Sequence, residues 1–284
     1  MANRRTPPSS VLPSAFFDEA SMFLDIDGNK VFSLSFGKGP RTLLAHSGWI
    51  GNFEDWIATL APLSETWRTV VYDHRGAGET QVPVELITPE ALVEDVFRVM
   101  DAANIDRCVL AGFSRGTVTV MRAALLHPER FEGLVLMNGT GDVQIPDTPV
   151  APRAPPSAWP GETFTDHLKW FADRCTPEPD TDHIKRWAVN VLSRSSAEVA
   201  ERIFTMQPRE PIDWPHRLPE LKLPTLLIHG DKDPLCRTAI MEYLHSLLPN
   251  SKLVVMKDTG HLPAMVRPHD VAREVNEFFG SVLG

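Results

Sequence analysis

Short apolar runs alternate with stretches of helical periodicity along most of this 284-residue chain, and this alternation constrains its fold more than any other feature. The helical patterns lie at residues 53–60, 89–103, 115–126, 239–248 and 269–279, and the apolar runs around them at 42–45, 67–72, 107–111, 134–137, 225–229 and 253–256. Parallel strands need long crossover connections, usually helices, and these crossovers are right-handed. The pattern therefore predicts the α/β class, with a mostly parallel, doubly wound sheet that carries helices on both faces.

The start of the chain predicts a different kind of strand pairing. Residues 23–27 and 30–36 alternate in polarity and flank the turn sequence Asp27-Gly28-Asn29. A short turn of this composition joins antiparallel strands. We therefore expect an antiparallel pair ahead of the parallel sheet.

One long segment interrupts the alternation. Residues 140–221 contain no strand pattern, begin with closely spaced prolines, and carry helical patterns at 165–174, 182–192 and 197–206. We therefore predict a core formed by residues 1–139 and 222–284, with residues 140–221 inserted as a helical cap. Trp159 of the inserted segment and Trp49, which follows the apolar run at 42–45, are expected to bind substrate.

The charge balance excludes several classes of partner. The net charge is −9 and the isoelectric point is about 5.6, so no basic surface is expected for nucleic-acid phosphates or anionic lipids. No apolar run approaches the roughly 20 residues of a membrane-spanning helix. Polar residues follow Arg4 and Arg5, where a signal peptide has its apolar region. We expect a cytoplasmic protein without nucleic-acid or membrane partners, and the sequence carries no signal for an oligomeric state.

The cysteines and histidines do not have the spacing of a metal site. Cys108, Cys175 and Cys236 are too few and too scattered for a disulfide framework or a metal quartet, and we expect buried thiols. No cluster of histidine, cysteine and acidic residues has ligand spacing, so no metal and no cofactor are expected.

The sequence Gly112-Phe113-Ser114-Arg115-Gly116 follows the apolar strand at 107–111 and enters a helix. A G-x-S-x-G sequence in this strand–turn–helix context is typical of a nucleophile elbow, where the serine sits in a strained turn. Glycines on both sides of the serine let the strand and the helix approach each other. Ser114 is therefore the candidate nucleophile.

A serine nucleophile needs a base, and the position of His261 fits that role best among the ten histidines. His261 follows the last predicted strand, at the sheet edge where Ser114 is also expected. His229 lies inside an apolar strand and is expected to be a hydrogen-bonded histidine of the core.

The base needs a carboxylate that fixes its tautomer, and the loop after the strand at 225–229 offers two. We choose Asp233 because it lies farther from the strand end, where the loop can turn toward His261. Asp231 is the alternative, with capping of its own turn as its other role.

Two backbone N–H groups are candidates for an oxyanion hole. Gly48 lies in the small-residue loop after the strand at 42–45, and Arg115 begins the helix behind the predicted nucleophile. The guanidinium group of Arg115 has two possible roles. It binds a carboxylate of the substrate, or it pairs elsewhere while only its N–H takes part.

These motifs together resemble the α/β-hydrolase superfamily, in particular its small cap-bearing esterase, enol-lactonase and cofactor-free haloperoxidase-like branches. The resemblance covers the chain from about residue 23. It rests on the loop at His46, residues 72–78 and 127–131, the elbow at Ser114, Gly230-x-x-Asp233 and Gly260-His261. It implies an α/β-hydrolase fold with the order Ser114, Asp233, His261, which is the order of this fold. It does not specify the substrate.

The residues and the resemblance lead to one functional prediction and several alternatives. We expect a serine hydrolase that cleaves a carboxylic ester or lactone bond of a small to medium, partly apolar substrate through an acyl-enzyme. The same three residues also serve perhydrolases, acyltransferases and carbon–carbon hydrolases. A ligand-binding or signalling receptor of the same fold with little turnover is the alternative from a different class.

Overall fold

The computed structural model describes residues 22–139, 145, 154–207 and 214–284. Its strands are β1 (Phe23–Ile26), β2 (Asn29–Phe36), β3 (Arg41–His46), β4 (Trp67–Tyr72), β5 (Cys108–Phe113), β6 (Phe131–Met137), β7 (Thr225–Gly230) and β8 (Ser251–Met256). In the described chain they form one sheet in the order β1-β2-β4-β3-β5-β6-β7-β8. β1 and β2 pair antiparallel, and so do β2 and β4, whereas all other neighbours are parallel. The predicted fold class, including its antiparallel start, is confirmed.

The helices lie where the periodicity predicts them, and no strand or helix end differs from its prediction by more than three residues. They are α1 (Glu54–Leu63), α2 (Pro89–Ala102), α3 (Gly116–Leu126), α4 (Phe164–Cys175), α5 (Asp182–Leu192), α6 (Ala197–Thr205), α7 (Trp214–Arg217), α8 (Thr238–Leu247), α9 (Pro263–Val266) and α10 (Pro268–Val282). The short helices α7 and α9 were not predicted, because four residues carry no periodic signal. No helix in the described ranges is both long and apolar enough to cross a membrane.

Local chemistry explains where the elements begin. Thr88 accepts a hydrogen bond from the backbone N–H of Ala91 at 3.1 Å, and Pro89 occupies the first turn, so α2 starts there. β6 begins at Phe131, three residues before its apolar run, because Phe131 and Gly133 already pair with Cys108 and Val109 of β5. A Cβ atom at Gly133 would overlap the ring of Phe279, so this position has to be a glycine.

The core lies on both faces of the sheet. In β5, Leu110 packs into the cluster on one face, whereas Val109 and Ala111 pack into the cluster on the other. This period of two is what a strand buried on both sides requires. A third cluster joins Trp49 and Ile50 to Trp159 and Ile203 of the inserted segment.

Helices α4, α5 and α6 occupy the segment between β6 and β7 for which a helical cap is predicted. The proline-rich entry at 140–153, apart from residue 145, and residues 208–213 lie outside the described residues. The division of the chain into a core and a cap therefore stays a prediction at this point.

The ends of the parallel strands bring four loops to one edge of the sheet. The loops follow β3, β5, β7 and β8, and they carry Gly48, Ser114, Asp233 and His261 respectively. Carboxyl ends of parallel strands meet at one edge, which is where ligands bind in open α/β sheets.

Candidate active site

Ser114 sits in a sharp turn between β5 and α3. Its backbone φ is 52°, a value that residues other than glycine rarely adopt. Its backbone N–H donates to the carbonyl of Met137 at 2.8 Å, and its own carbonyl accepts from the hydroxyl of Thr117 at 2.7 Å. A Cβ atom at Gly112 would lie 2.7 Å from Val120, and one at Gly116 would overlap the loop after β3. The glycines of this turn are therefore required by close packing, as predicted.

The structure brings Ser114, His261 and Asp233 together in a chain of hydrogen bonds. Nε2 of His261 lies 2.9 Å from Oγ of Ser114, and Nδ1 lies 2.7 Å from Oδ2 of Asp233. All three side chains are buried. Asp231 is exposed and accepts from the N–H of Thr259 at 3.3 Å, so the acid placed beside His261 is Asp233.

Asp233 is surrounded by hydrogen-bond donors. Its Oδ1 accepts from the N–H groups of Leu235 and Cys236 at 2.8 and 3.0 Å, and its Oδ2 accepts from Nδ2 of Asn138 at 2.7 Å. Burial alone raises the pKa of Asp233, but the His261 ring and these donors outweigh it, and the pKa lies below its ordinary value. Burial likewise lowers the pKa of His261, but the charge of Asp233 outweighs it and the pKa lies above the ordinary value.

Gly48 lies directly against the predicted nucleophile. A Cβ atom at this position would be 2.9 Å from Cβ of Ser114 and 3.1 Å from the carbonyl of Phe113. The carbonyl of Gly48 accepts from the N–H of Gly51 at 3.1 Å and from Nε2 of His74, also at 3.1 Å. These two bonds fix the orientation of the loop that carries the Gly48 N–H.

Two cavities meet at Ser114 and His261, and Trp49 and Phe171 line both of them. The small cavity has a volume of about 40 Å³ and is also lined by Gly48, Asp55 and residues of α5. The large cavity has a volume of about 260 Å³. Each of the two sides of Ser114 thus offers space for one part of a ligand.

Five aromatic side chains line the large cavity, among them both tryptophans that are predicted to bind substrate, Trp49 and Trp159. Trp159 stacks on Phe171 with ring centres 5.1 Å apart, and its Nε1 donates to the carbonyl of Ala154 at 2.8 Å. Nε1 of Trp49 donates to the carbonyl of Ala200 at 2.8 Å. Arg115 also lines this cavity, and its guanidinium donates to the carbonyl of Met206 at 3.2 Å.

The segment after α4 holds the loop that carries His261. The carbonyl of Cys175 accepts from the N–H of His261 at 2.7 Å, and Oε1 of Glu178 accepts from the N–H of Gly260 at 2.5 Å. A Cβ atom at Gly260 would be 2.7 Å from the Cys175 carbonyl, so the two backbones lie in direct contact. The inserted segment therefore helps to position the histidine.

Sequence reasoning missed Asn138, His74, Glu178 and Asp55. The first two directly follow or nearly follow a strand at the carboxyl edge of the sheet, and that position was a usable signal. Glu178 and Asp55 carry no signal in the sequence, since one lies in an irregular loop and the other in an ordinary helix start. The prediction for His229 is wrong in part: the ring is buried, but neither nitrogen has a hydrogen-bonding partner among the described residues.

One group of side chains in the described ranges could in principle hold a metal ion, and it consists of Asp233, Cys236 and His261. Both ring nitrogens of His261 are already engaged with Asp233 and Ser114. A metal ion on His261 would displace one of these contacts. The donor set therefore fits the hydrogen-bonded arrangement better than a metal centre. The three cysteines are buried thiols, as predicted.

Comparison with known proteins shows the family of the chain. The family model described as "alpha/beta hydrolase fold" matches residues 41–268. The chain belongs to the alpha/beta hydrolase fold family. The predicted superfamily is thereby confirmed, and membership supports hydrolase activity.

Several relatives share most of their length with this alpha/beta hydrolase. It is 24% identical over 229 residues to 3-oxoadipate enol-lactonase 1 of Acinetobacter baylyi, covering 80% of this chain and 84% of that one. It is 27% identical over 252 residues to the pimeloyl-[acyl-carrier protein] methyl ester esterase of Neisseria meningitidis, covering 86% and 78%. Among solved structures, Est816, titled as an N-acyl homoserine lactone degrading enzyme, aligns with a TM-score of 0.76 at 22% identity, over 90% of this chain and 99% of that one.

Proposed function

We propose that this alpha/beta hydrolase cleaves carboxylic ester or lactone bonds, with Ser114 as nucleophile, His261 as general base and acid, and Asp233 as the carboxylate that orients the histidine. The observation that carries the proposal is the continuous hydrogen-bonded path from Ser114 Oγ through both nitrogens of His261 to Asp233. The similarity to an enol-lactonase and to a methyl ester esterase supports the same bond type.

In the first half of the reaction, Oγ of Ser114 attacks the carbonyl carbon of the substrate while its proton passes to Nε2 of His261. The developing oxyanion accepts hydrogen bonds from the N–H groups of Gly48 and Arg115. Each such donor contributes about 10² to 10³ in rate. Nε2–H then protonates the leaving alcohol oxygen as its bond to the carbonyl carbon breaks, which leaves the acyl group on Ser114.

In the second half, water replaces the alcohol. Nε2 of His261 takes a proton from the attacking water, and the carbonyl carbon of the acyl-enzyme becomes tetrahedral again. The proton then returns to Oγ of Ser114 as the acid leaves. Asp233 remains ionised throughout and stabilises the imidazolium, in keeping with its lowered pKa.

The substrate is proposed to be a small to medium molecule with an apolar part. The aromatic lining of the large cavity, with Trp49, Trp159 and Phe171, supports an apolar group on one side of the scissile bond. We further propose that the inserted segment, residues 140–221, acts as a cap over this site. The contacts of Cys175 and Glu178 with the His261 loop support that role.

The first experiment is steady-state hydrolysis of p-nitrophenyl butyrate and p-nitrophenyl decanoate by the wild type and Ser114→Ala. We expect many turnovers per site for the wild type and a loss of about 10⁶-fold in kcat for Ser114→Ala, because the nucleophile is gone. Ser246→Ala, an exposed serine on α8, serves as the control and should keep wild-type activity.

Two results would contradict the proposal. Full activity of Ser114→Ala would show that another residue performs the chemistry. A single burst of nitrophenol without further turnover would favour a ligand-binding receptor of the same fold. The ratio of the two chain lengths measures how much apolar chain the site accepts.

A further inference from the structure

Asp55 is a buried carboxyl group beside the reacting atoms that the proposed mechanism does not use. It is the second residue of α1, has 8% of its surface exposed, and lines the small cavity together with Ser114, His261 and Gly48. A Cβ atom at Gly51 would overlap the Asp55 carboxyl group, so the loop after β3 leaves this side chain just enough room to face the cavity.

The protein supplies little hydrogen bonding to this carboxyl group. The N–H groups at the start of α1 are already used: Phe53 donates to Asp73 at 2.7 Å, and Glu54 donates to the side chain of Asn52 at 2.9 Å. The hydroxyl of Ser47 is a hydrogen-bonding partner of Asp55, but its single proton is shared with the carbonyl of Asn52, to which it donates at 2.7 Å. A buried carboxylate with one shared donor is costly, and this cost favours the protonated, neutral form.

The charged and titratable neighbours agree with a neutral carboxyl group. The pKa of Asp55 is raised to about 7: burial is the largest cause and the charges of Asp73 and Glu54 add to it, whereas a hydrogen bond from Ser47 and the charge of His261 lower it. Glu54 itself is paired with Arg194. A protonated carboxyl group is a hydrogen-bond donor, and in a largely apolar cavity that donor has a strong preference for a partner.

The volumes of the two cavities decide which part of a substrate reaches Asp55. A water molecule needs about 10 to 15 Å³ of such volume, whereas benzene fits a cavity of about 150 Å³. The small cavity, at about 40 Å³, thus holds a few non-hydrogen atoms, and the large one, at about 260 Å³, holds a ring. An aryl ester of a short acid therefore places its acyl chain in the small cavity.

We propose that Asp55 determines acyl specificity by donating a hydrogen bond to an oxygen atom in the acyl chain of the substrate. This inference rests on the proposed ester or lactone hydrolysis and adds the substrate class: short acyl groups that carry an ether, hydroxyl or keto oxygen within a few atoms of the scissile carbonyl. An acyl chain of the same length without that oxygen offers no acceptor to the buried Asp55, and the loss of such a hydrogen bond in a buried site discriminates between substrates.

The test compares two esters of equal chain length, p-nitrophenyl methoxyacetate and p-nitrophenyl butyrate, in which one ether oxygen replaces one methylene. The quantity measured is the ratio of their kcat/KM values, because the difference in intrinsic reactivity cancels between enzyme variants. The variants are Asp55→Leu, which removes the donor, and Asp55→Asn, which keeps a donor at every pH. Thr59→Val, one turn further along α1 and outside both cavities, is the matched control.

We expect the methoxyacetate-to-butyrate ratio of Asp55→Leu to be about tenfold below that of the wild type, which corresponds to one hydrogen bond. The ratio of the wild type should fall as the pH rises through about 7, as Asp55 ionises, while that of Asp55→Asn should stay constant. The ratio of Thr59→Val should equal that of the wild type.

Each of the alternative results contradicts either this inference or the proposed function. If Asp55→Leu slows both esters by the same factor, Asp55 has only a structural role and the inference fails while the proposed function stands. If Asp55→Leu does not fold, a pH-independent ratio in the wild type overturns the inference on its own. If the wild type turns over neither ester, the proposed function fails and the inference fails with it.

Discussion

Two buried carboxyl groups lie close to His261, and their surroundings give them opposite properties. Asp233, in the loop after β7, accepts hydrogen bonds from Asn138, Leu235, Cys236 and His261, and its pKa is lowered. Asp55, at the start of α1, lies in a similarly buried place, and burial raises its pKa to about 7. The comparison teaches that burial alone does not decide whether an acid near the site carries a charge: at Asp233 the charge of the His261 ring, together with the donors, outweighs burial.

The local backbone explains why the donors are distributed this way. Asp233 stands in an irregular loop, where the N–H groups two and three residues later are free to turn back to its carboxylate. A helix start also offers unpaired N–H groups, but in α1 these bind Asn52 and Asp73. Asp73 accepts from both Phe53 and Glu79, so that acid takes the donors that Asp55 lacks.

The largest effect expected from this comparison is that of Asp233→Asn. We expect kcat to fall by about 10⁴-fold, because the amide no longer holds the imidazole in the required tautomer or stabilises the imidazolium. Asp233 raises the pKa of His261 above the ordinary value of 6.5. As the pH is lowered, kcat/KM of the wild type should therefore begin to fall at a pH above 6.5. In Asp233→Asn this acid limb should move to lower pH. The measurement is a pH profile of kcat/KM on p-nitrophenyl butyrate.

The neighbouring acid supplies the control for this prediction. Asp231 lies in the same loop, but it is exposed and its carboxylate accepts from the N–H of Thr259. Asp231→Asn should therefore leave both kcat and the position of the acid limb near those of the wild type. Equal losses in the two variants would mean that the loop as a whole, and not the charge beside His261, determines activity.

The sequence was sufficient for the fold and for the three residues on the hydrogen-bonded path. Apolar periodicity and helix starts such as Thr88-Pro89 are local signals, and the glycines around Ser114 report close packing directly. The choice of Asp233 over Asp231 followed from its position in the loop. The structure places Asp233 against the histidine.

The remainder of the site depends on contacts between distant segments. His74 touches Gly48, and Glu178 touches Gly260, only because separate loops converge at the sheet edge. Asp55 looks like any acidic residue in the first turn of a helix, where acids are common on the surface. The cavity that it lines is enclosed partly by residues of α4 and α5 from the inserted segment, and the sequence does not reveal that contact.

The second prediction concerns the free energy of unfolding that the protein loses because Asp55 is buried. Because the pKa of Asp55 is about 7 in the folded chain and near 3.8 when exposed, folding at neutral pH requires the uptake of a proton. The resulting loss of stability is absent below about pH 4, grows as the pH rises, and is complete above about pH 7. We expect Asp55→Asn to raise the free energy of unfolding at pH 8 by about 2 to 4 kcal/mol, and by much less at pH 4.5.

Denaturant unfolding at the two pH values measures this difference. An equal change at both values would contradict the assignment of a protonated Asp55, since the effect would then come from packing alone. A gain in stability in Asp55→Asn, together with a loss of acyl discrimination in Asp55→Leu, would identify Asp55 as a group retained for function at a cost in stability.

The smallest expected effect comes from removing one hydrogen-bond donor to Asp233. Asn138 donates to Asp233 at 2.7 Å and to the carbonyl of Gly260 at 3.2 Å, and it adopts a φ of 45°. Asn138→Gly removes both hydrogen bonds while keeping this backbone conformation available. We expect kcat/KM to fall about tenfold, because a hydrogen bond to a charged group is lost.

The backbone effect of Asn138→Gly is separated from the side-chain effect by a matched variant elsewhere. Asn104 is exposed and has a similar φ of 54°, so Asn104→Gly tests the backbone change alone and should leave kcat/KM unchanged. In Asn138→Gly the pKa of Asp233 should rise, since one of its donors is gone. Asp233 should then stabilise the imidazolium of His261 less. The acid limb of the pH profile should then move to lower pH, in the direction of Asp233→Asn but by less. A tenfold loss without that movement would mean that Asn138 acts through Gly260 and the position of His261, and that its hydrogen bond does not help to keep Asp233 ionised.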